Sequence, residues 1–303
     1  MKIKGVQVAT RRLGPPAGLE CPYVAEIPDP KRKPRTARRG VKARGRPIGT
    51  SKTTGVAGGR ALRSRRLVKT SELIARDIIL DISERDLKAG DLLASEAAMM
   101  QDYEVGRSSL REALRLLEVQ GLIQIRAGPN GGPVVGAATA ENLARMLTLF
   151  FGLAGATYED LTKVMLLIDP VVAEVAASTP HSPEDIALLE SSLEKACGPP
   201  RPKQLRTEAL MDFHQVIGAL GQNSIWSLLA GAINLIFADH VIAAVDSRAF
   251  HATAIEDHNQ IADAILAGDV TLTKARMKGH TERMIEFYRS QNPSVFNRLI
   301  EWR

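Results

Sequence analysis

The chain has 303 residues, 45% of them hydrophobic, and a net charge of +6, which is room for two modest domains plus a tail. Two cysteines, Cys21 and Cys197, are too few for a disulfide framework or a cysteine-built metal site, so a reducing cytoplasm is the expected setting. The N-terminus lacks the pattern of a secretory signal, no uninterrupted apolar run reaches about 18 residues, and no membrane partner is expected.

The charge is unevenly divided. Residues 1–66 hold 18 Lys and Arg against 3 Asp and Glu, while the remaining residues hold 22 against 31. A cationic arm on an acidic body is a plan suited to engaging nucleic acid. With many Gly and Pro and few large apolar residues, the arm is expected to be disordered in isolation. Within it, Arg44-Gly45-Arg46-Pro47 resembles an AT-hook. In such a hook two arginines lie along a narrow A·T minor groove and glycine permits the close approach. Generic phosphate binding by Arg44 and Arg46 is the alternative, as is a leader with no role.

Val68 to about Ser83 has helical periodicity, with Leu73, Ile74, Ile78, Leu80 and Ile82 as apolar positions. Two more helices follow across 96–123, joined by a tight turn. In the second, Leu110, Ala113, Leu114 and Leu117 recur at helical spacing and should face a core. Arg107, Ser108 and Arg111 then fall toward the opposite face near the helix start, with Ser109 beside them. Arginine forks match guanine edges in the major groove, and short hydroxyls reach phosphates. An ordinary amphipathic surface helix has the same spacing. Gly121 is a fitting terminator. Leu122–Ile125 and Val134-Val135 read as short strands around a glycine-rich loop rooted at Arg126. At its tip Gly131 and Gly132 allow close backbone approach to DNA. Helix, turn, helix and hairpin make a winged helix.

Gly90–Glu96, Val105-Gly106-Arg107-Ser108-Ser109-Leu110-Arg111-Glu112-Ala113-Leu114, Glu118 and Gly121-Leu122-Ile123 resemble the DNA-binding domain of GntR-type bacterial transcriptional regulators. The resemblance covers about seventy residues with ordered landmarks. It implies operator binding through Arg107 and Arg111. Ala94 replaces the family's usual proline, Ala97 an arginine that contacts DNA in some members, and Gly106 the usual Ser or Thr. Half-site preference is therefore expected to differ from better-known relatives.

From about Ala140 onward only helices are expected, at 141–154, 157–178, 183–196, 203–220, 224–246, 251–267 and 271–290. Leu149–Gly152 and Leu228–Phe237 are apolar on more than one face, which suits a bundle interior or a subunit interface. Asp212-Phe213-His214, Gly221-Gln222-Asn223, Asp257-His258-Asn259-Gln260-Ile261, Gly268-Asp269 and Met277-Lys278-Gly279-His280 resemble the all-helical FCD effector domain of the fatty-acid-responsive GntR subfamily. That resemblance implies a small-molecule effector and a divalent metal, zinc or nickel, held by one Asp and three His. His214, His258 and His280 match the histidines. Leu210 stands where the family has its Asp, one turn before His214, and Asp212 points about 200° around the helix from that histidine. Three imidazoles can still hold zinc or nickel with open positions. They could instead hydrogen-bond an anionic ligand directly, or be structural. Many relatives carry an arginine one turn before an acidic residue on the first long effector helix; here Met165 precedes Asp169. Asp169, Met165 and Asn223 are the candidate effector contacts, with surface capping an equal alternative for Asp169. His181, His240 and His251 are expected at the surface or at helix ends.

The expected architecture is mainly α. An arm (1–66) precedes a winged helix-turn-helix with a small β-wing (67–138), an all-α antiparallel helical bundle (139–292) and a C-terminal tail (293–303). The expected function is a cytoplasmic, homodimeric, non-enzymatic transcriptional regulator that binds double-stranded operator DNA, represses, and answers a small-molecule effector. The alternatives are a metal-dependent hydrolase on the three histidines, which lacks an evident general base, and a nucleoid-architecture protein relying on the arm.

Overall fold

The computed structural model describes residues 61–128, 131–197, 203–246 and 248–302. Arg44 and Arg46 of the arm, Cys21, Pro129 and Asn130 of the wing loop, and the 198–200 punctuation lie outside them. The chain divides into two compact units, with the boundary after Asn142.

The first unit is the winged helix. Helix α1 (Ala61–Glu84) begins inside the segment expected as arm. Its buried face is narrower than the pattern implied. Ile74 and Ile78 are buried, whereas Leu73 and Leu80 are about half exposed. Each of the two exposed leucines sits well off the Ile74–Ile78 line at 100° per residue. Helix α2 (Glu96–Asp102) starts at Ser95, whose hydroxyl accepts from the Ala98 N–H at 3.2 Å. Tyr103 at its end donates to Asp81 Oδ2 of α1 at 2.6 Å, tying the two helices together.

Helix α3 (Arg107–Val119) buries the four expected positions, Leu110, Ala113, Leu114 and Leu117, against Ile74, Ile78, Leu93, Met99, Ile123 and Val135. Gly121 ends it at φ +73°. The Gly121 N–H donates to Glu118 O and the Leu122 N–H to Leu117 O, each at 2.9 Å, a Schellman closure that needs this left-handed residue. Strands β1 (Ile123–Arg126) and β2 (Gly132–Val135) pair antiparallel in the register Ile123↔Val135 and Arg126↔Gly132, and Leu92 adds an isolated bridge to Val134.

The second unit is helical throughout its described residues. It contains most of α4 (Ala140–Leu153), then α5 (Tyr158–Ser178), α6 (Pro183–Cys197), α7 (Lys203–Leu220) and α8 (Ser224–Phe237). A π turn at Ala238–Ile242 leads on to α9 (Arg248–Leu266), α10 (Val270–Gln291) and the short α11 (Pro293–Phe296). The helix expected to continue to 246 therefore ends four residues early, through that π turn. Helix α5 opens with a full capping box, Thr157 accepting from the Asp160 N–H while Asp160 accepts from the Thr157 N–H. Helix α10 packs along α5 and α9, and α7 along α6 and α8. Short turns make α7 and α8 antiparallel, and likewise α9 and α10.

Two apolar clusters fill the bundle. One runs from Tyr158 and Met165 through Ile233–Val241 to Tyr288 and Phe296. The other gathers Val172, Phe213, Ile217, Ile261 and Met277. Residues 293–302, expected as a tail, are part of the fold. Val295, Phe296 and Ile300 are buried, the Ile300 N–H donates to Ala156 O at 3.0 Å, and Leu299 bridges to Thr157.

Ser224–Ile242 is 19 residues long with mean hydropathy 1.6, apolar enough by length and composition to be taken for a span, although Ser227, Asn234, Asp239 and His240 interrupt its apolar run. Its Ala230–Gly231-Ala232-Ile233-Asn234 and Ile236–Phe237 side chains are buried in the bundle, so its composition is that of a core helix. On α4, Phe150 and Leu153 instead stand 63% and 90% exposed.

Candidate DNA-reading helix and buried histidine triad

On the first unit, Arg107, Ser108 and Arg111 are exposed, Ser109 is half-buried, and all four lie near the N-terminus of α3. Gly106 is the N-cap and has no side chain to cap with, so it leaves the first backbone N–H groups of α3 for an external anion. Arg111 Nε donates to Glu96 Oε2 of α2 at 3.1 Å. Both side chains are substantially exposed, and a pair of this kind is worth about 0–1 kcal/mol. A tie this weak leaves Arg111 able to exchange Glu96 for another partner. Glu96 was missed in the sequence because its partner is 15 residues away, across the turn.

Arg126 is exposed at the end of β1. The Gly131 N–H donates to Gly128 O at 2.9 Å, and a Cβ at Gly131 would fall 2.2 Å from the Arg126 carbonyl oxygen. No other residue fits there without remaking the loop. Gly132 opens β2.

In the second unit, His214 of α7, His258 of α9 and His280 of α10 are brought together with a potential ligand atom from each within 4.8 Å of the others, all three buried. They lie where the two apolar clusters meet. Phe213 stacks on His258 with ring centroids 4.0 Å apart, and Phe250 lies 6.3 Å from the His280 ring. Burial, then the neighbouring His280, pushes the His214 imidazole down to about 3. Burial first, and the other imidazoles after it, likewise hold His258 well below the ordinary histidine value. Both are neutral at physiological pH and keep lone pairs to offer.

His258 Nε2 and His280 Nε2 are 3.3 Å apart. Two imidazole nitrogens on a tetrahedral zinc with bonds of about 2.0–2.1 Å would be separated by about 3.3–3.4 Å, so the spacing fits the metal. His280 Nδ1 donates to Asp257 Oδ2 at 3.1 Å. Burial raises the Asp257 carboxyl, but the hydrogen bonds from His280 and Arg283 outweigh it and hold the group below its ordinary value. The fourth family position is occupied by buried, apolar Leu210. Asp212 points away and pairs with Lys195 at 2.9 Å. The donor set is three nitrogens.

Of the other candidates, Asp169 points inward and is not a surface cap. It is buried on α5, accepting from Asn234 Nδ2 of α8 at 3.0 Å and from Thr281 Oγ1 of α10 at 3.3 Å. Burial raises its carboxyl to about 6 against the two hydrogen bonds, which lower it. Asn234 and Thr281 carried no spacing signal, being 65 and 112 residues distant. Met165 is fully buried among apolar side chains and acts there as packing. Asn223 is the N-cap of α8, its Oδ1 accepting from the Ile225 and Trp226 N–H groups, so its oxygen already has a structural role at the helix end. His181, His240 and His251 are half-buried, and His240 lies against Tyr158 at 5.4 Å. The carboxylate a hydrolase would enlist, Asp257, is tied up with Arg283 and His280. Glu256 is exposed and bonded to Gln260.

Comparison with known proteins agrees with both modules. Residues 70–130 match the model of bacterial regulatory proteins of the gntR family, and residues 160–283 match the FCD domain. The chain is 30% identical over 239 residues to the HTH-type transcriptional repressor NanR of Escherichia coli strain K12, covering 73% of this chain and 86% of that protein. It is 29% identical over 245 residues to NanR of Edwardsiella tarda, covering 76% and 90%. A solved Streptococcus agalactiae GntR structure shares the fold with a TM-score of 0.55 at 22% identity, covering 71% of this chain and 99% of that one. A helix-turn-helix with exposed arginines, joined in one chain to a histidine-bearing helical bundle, therefore has a family: the chain belongs to the gntR family of bacterial regulatory proteins, DNA-binding transcriptional regulators, and carries an FCD effector domain.

Proposed function

We propose that the protein is a cytoplasmic, homodimeric repressor whose hold on a palindromic operator is relieved by a small molecule bound in the FCD domain. The observation that carries the reading is α3, whose apolar face is buried while Arg107, Ser108 and Arg111 are exposed on the other side. In this reading Arg107 and Arg111 contact bases or phosphates, Ser108 and Ser109 contact phosphates, and Arg126 with the Gly131-Gly132 wing tip follows the backbone or a groove. Dimerisation places two such helices about one DNA turn apart. The exposed Phe150 and Leu153 of α4 are apolar surface that a second copy would cover. Relatives named as repressors support the sign.

His214, His258 and His280 would hold a divalent metal, zinc or nickel, which would supply a Lewis-acidic anchor for an anionic effector group. Asp169 lies on the inner side of α5 and is the polar group there most suited to meeting that effector. A ligand acts by binding better to one dimer geometry than to another.

Footprinting the bound protein across the genome tests the regulator reading. A short set of palindromic sites beside promoters is expected; even coverage favouring no sequence would contradict it. The cationic arm, with Arg44 and Arg46, adds phosphate or minor-groove contacts. Deleting residues 1–60 is expected to weaken DNA binding and flatten its salt dependence while half-site choice is kept. An unchanged salt slope would remove the arm from the mechanism.

A further inference from the structure

The buried triad is connected to the surface by one chain of hydrogen bonds. Arg283 of α10 donates through Nη2 to Asp257 Oδ1 at 2.6 Å and through Nε to Asp257 Oδ2 at 3.2 Å. The same Oδ2 accepts from His280 Nδ1 at 3.1 Å. The Arg283 side chain is 50% exposed, while that of Asp257 is 9% exposed. A carboxylate can only accept, so His280 carries a hydrogen on Nδ1, and its other ring nitrogen, Nε2, is the one left facing His258.

Gly279 adds a second, independent observation. A glycine in the middle of a 22-residue helix is unfavourable relative to alanine, so its presence there calls for a reason. Helical side chains lean toward the N-terminus, which brings Arg283 back over the residue one turn earlier. A Cβ at Gly279 would lie 3.1 Å from Arg283 Nη1, tighter than ordinary contact. The missing side chain is the space through which the guanidinium lies down toward Asp257.

We propose that Asp257, pinned from the surface by Arg283 over Gly279, is the positioning residue that fixes the tautomer and ring orientation of His280, and so decides whether His280 turns an Nε2 lone pair into the triad. It rests on the reading of the triad as a metal site, yet the latch exists in the metal-free protein and can be tested there. Free neutral histidine carries its hydrogen mainly on Nε2; the latch imposes the other form. Loss of a carboxylate that orients a ligating histidine lowers metal affinity by about 10–100-fold.

The test is long-range proton–nitrogen correlation spectroscopy on metal-free, full-length protein with labelled histidine, alongside zinc affinity by chelator competition. Wild type is expected to show His280 as the Nδ1–H form. Asp257→Ala is expected to move it to mainly Nε2–H, with zinc binding weaker by about 10–100-fold. Arg283→Ala, at a half-exposed position that keeps the test open if Asp257→Ala fails to fold, is expected to give a mixed population, and Arg283→Lys to restore part of the Nδ1–H signal. An unchanged His280 tautomer in Asp257→Ala, or in Arg283→Ala if that variant alone folds, overturns the latch. If the tautomers move as expected and zinc binds none of the proteins, the latch stands and the metal reading falls.

Discussion

Replacing Arg107 and Arg111 together by alanine is expected to abolish operator recognition while leaving the winged helix folded. Each side chain that forks onto a base edge contributes about 1–3 kcal/mol of discrimination, so each single variant should lose about ten- to a hundredfold in specific affinity. Both residues are exposed, and the tie from Arg111 to Glu96 is a surface pair whose loss costs the fold at most about 1 kcal/mol. The core of the domain is untouched, because Leu110, Ala113, Leu114 and Leu117 lie on the other face. Electrophoretic mobility shift with operator and scrambled duplexes, beside a thermal melt, separates these effects. Retained sequence preference in the double variant would move the reading surface away from α3.

The second large effect concerns Asp169 and pH. The folded protein holds this proton more tightly than the unfolded chain, since burial lifts the carboxyl from 3.8 to about 6. The native state therefore binds more protons between these values, and stability falls as pH rises through them. The loss is complete above the folded value, at about 3 kcal/mol in total. Asp169→Asn removes the ionisation and keeps an acceptor for Asn234 and Thr281. Relative to wild type, the variant is expected to gain about 2 kcal/mol in unfolding free energy on going from about pH 4 to about pH 7. Denaturant unfolding of both proteins at the two pH values measures the difference directly, and groups common to the two cancel. A pH-independent difference would mean that Asp169 is solvated or paired in the native state.

Much of the fold could be read from local pattern. The face of α3, the Gly121 stop and the hairpin after it follow from spacing within about two turns of helix, and the structure has each of them. The effector helices began and ended close to the expected residues, because Thr157, Asn223 and Asp269 cap their own helices by hydrogen bonds spanning two or three residues. The π turn at Ala238 was not legible, since five residues of slightly altered winding leave the composition unchanged. Folding of the C-terminal segment onto Ala156–Tyr158 depends on partners about 140 residues away, and nothing local reports it.

The candidate site divides the same way. Motif resemblance identified the three histidines, and the structure brings them into one cluster. Leu210 and Asp212 already pointed to the loss of the family's fourth ligand, because Asp212 is two residues from His214 and residues two apart on a helix do not share a face. Asn234, Thr281 and Arg283 were invisible, each lying at least 26 residues from the carboxylate it serves. The capping role of Asn223 was not legible, because an N-cap asparagine and a ligand-binding asparagine look alike until the backbone around them is known.

The measurement bearing most directly on the central claim is the ratio of affinities for a footprinted site and for a scrambled duplex, taken with the full chain at physiological salt. Reading of base order by α3 requires a preference of about a thousandfold or more, collapsing toward unity in the Arg107→Ala, Arg111→Ala double variant. A wild-type ratio near one would contradict it.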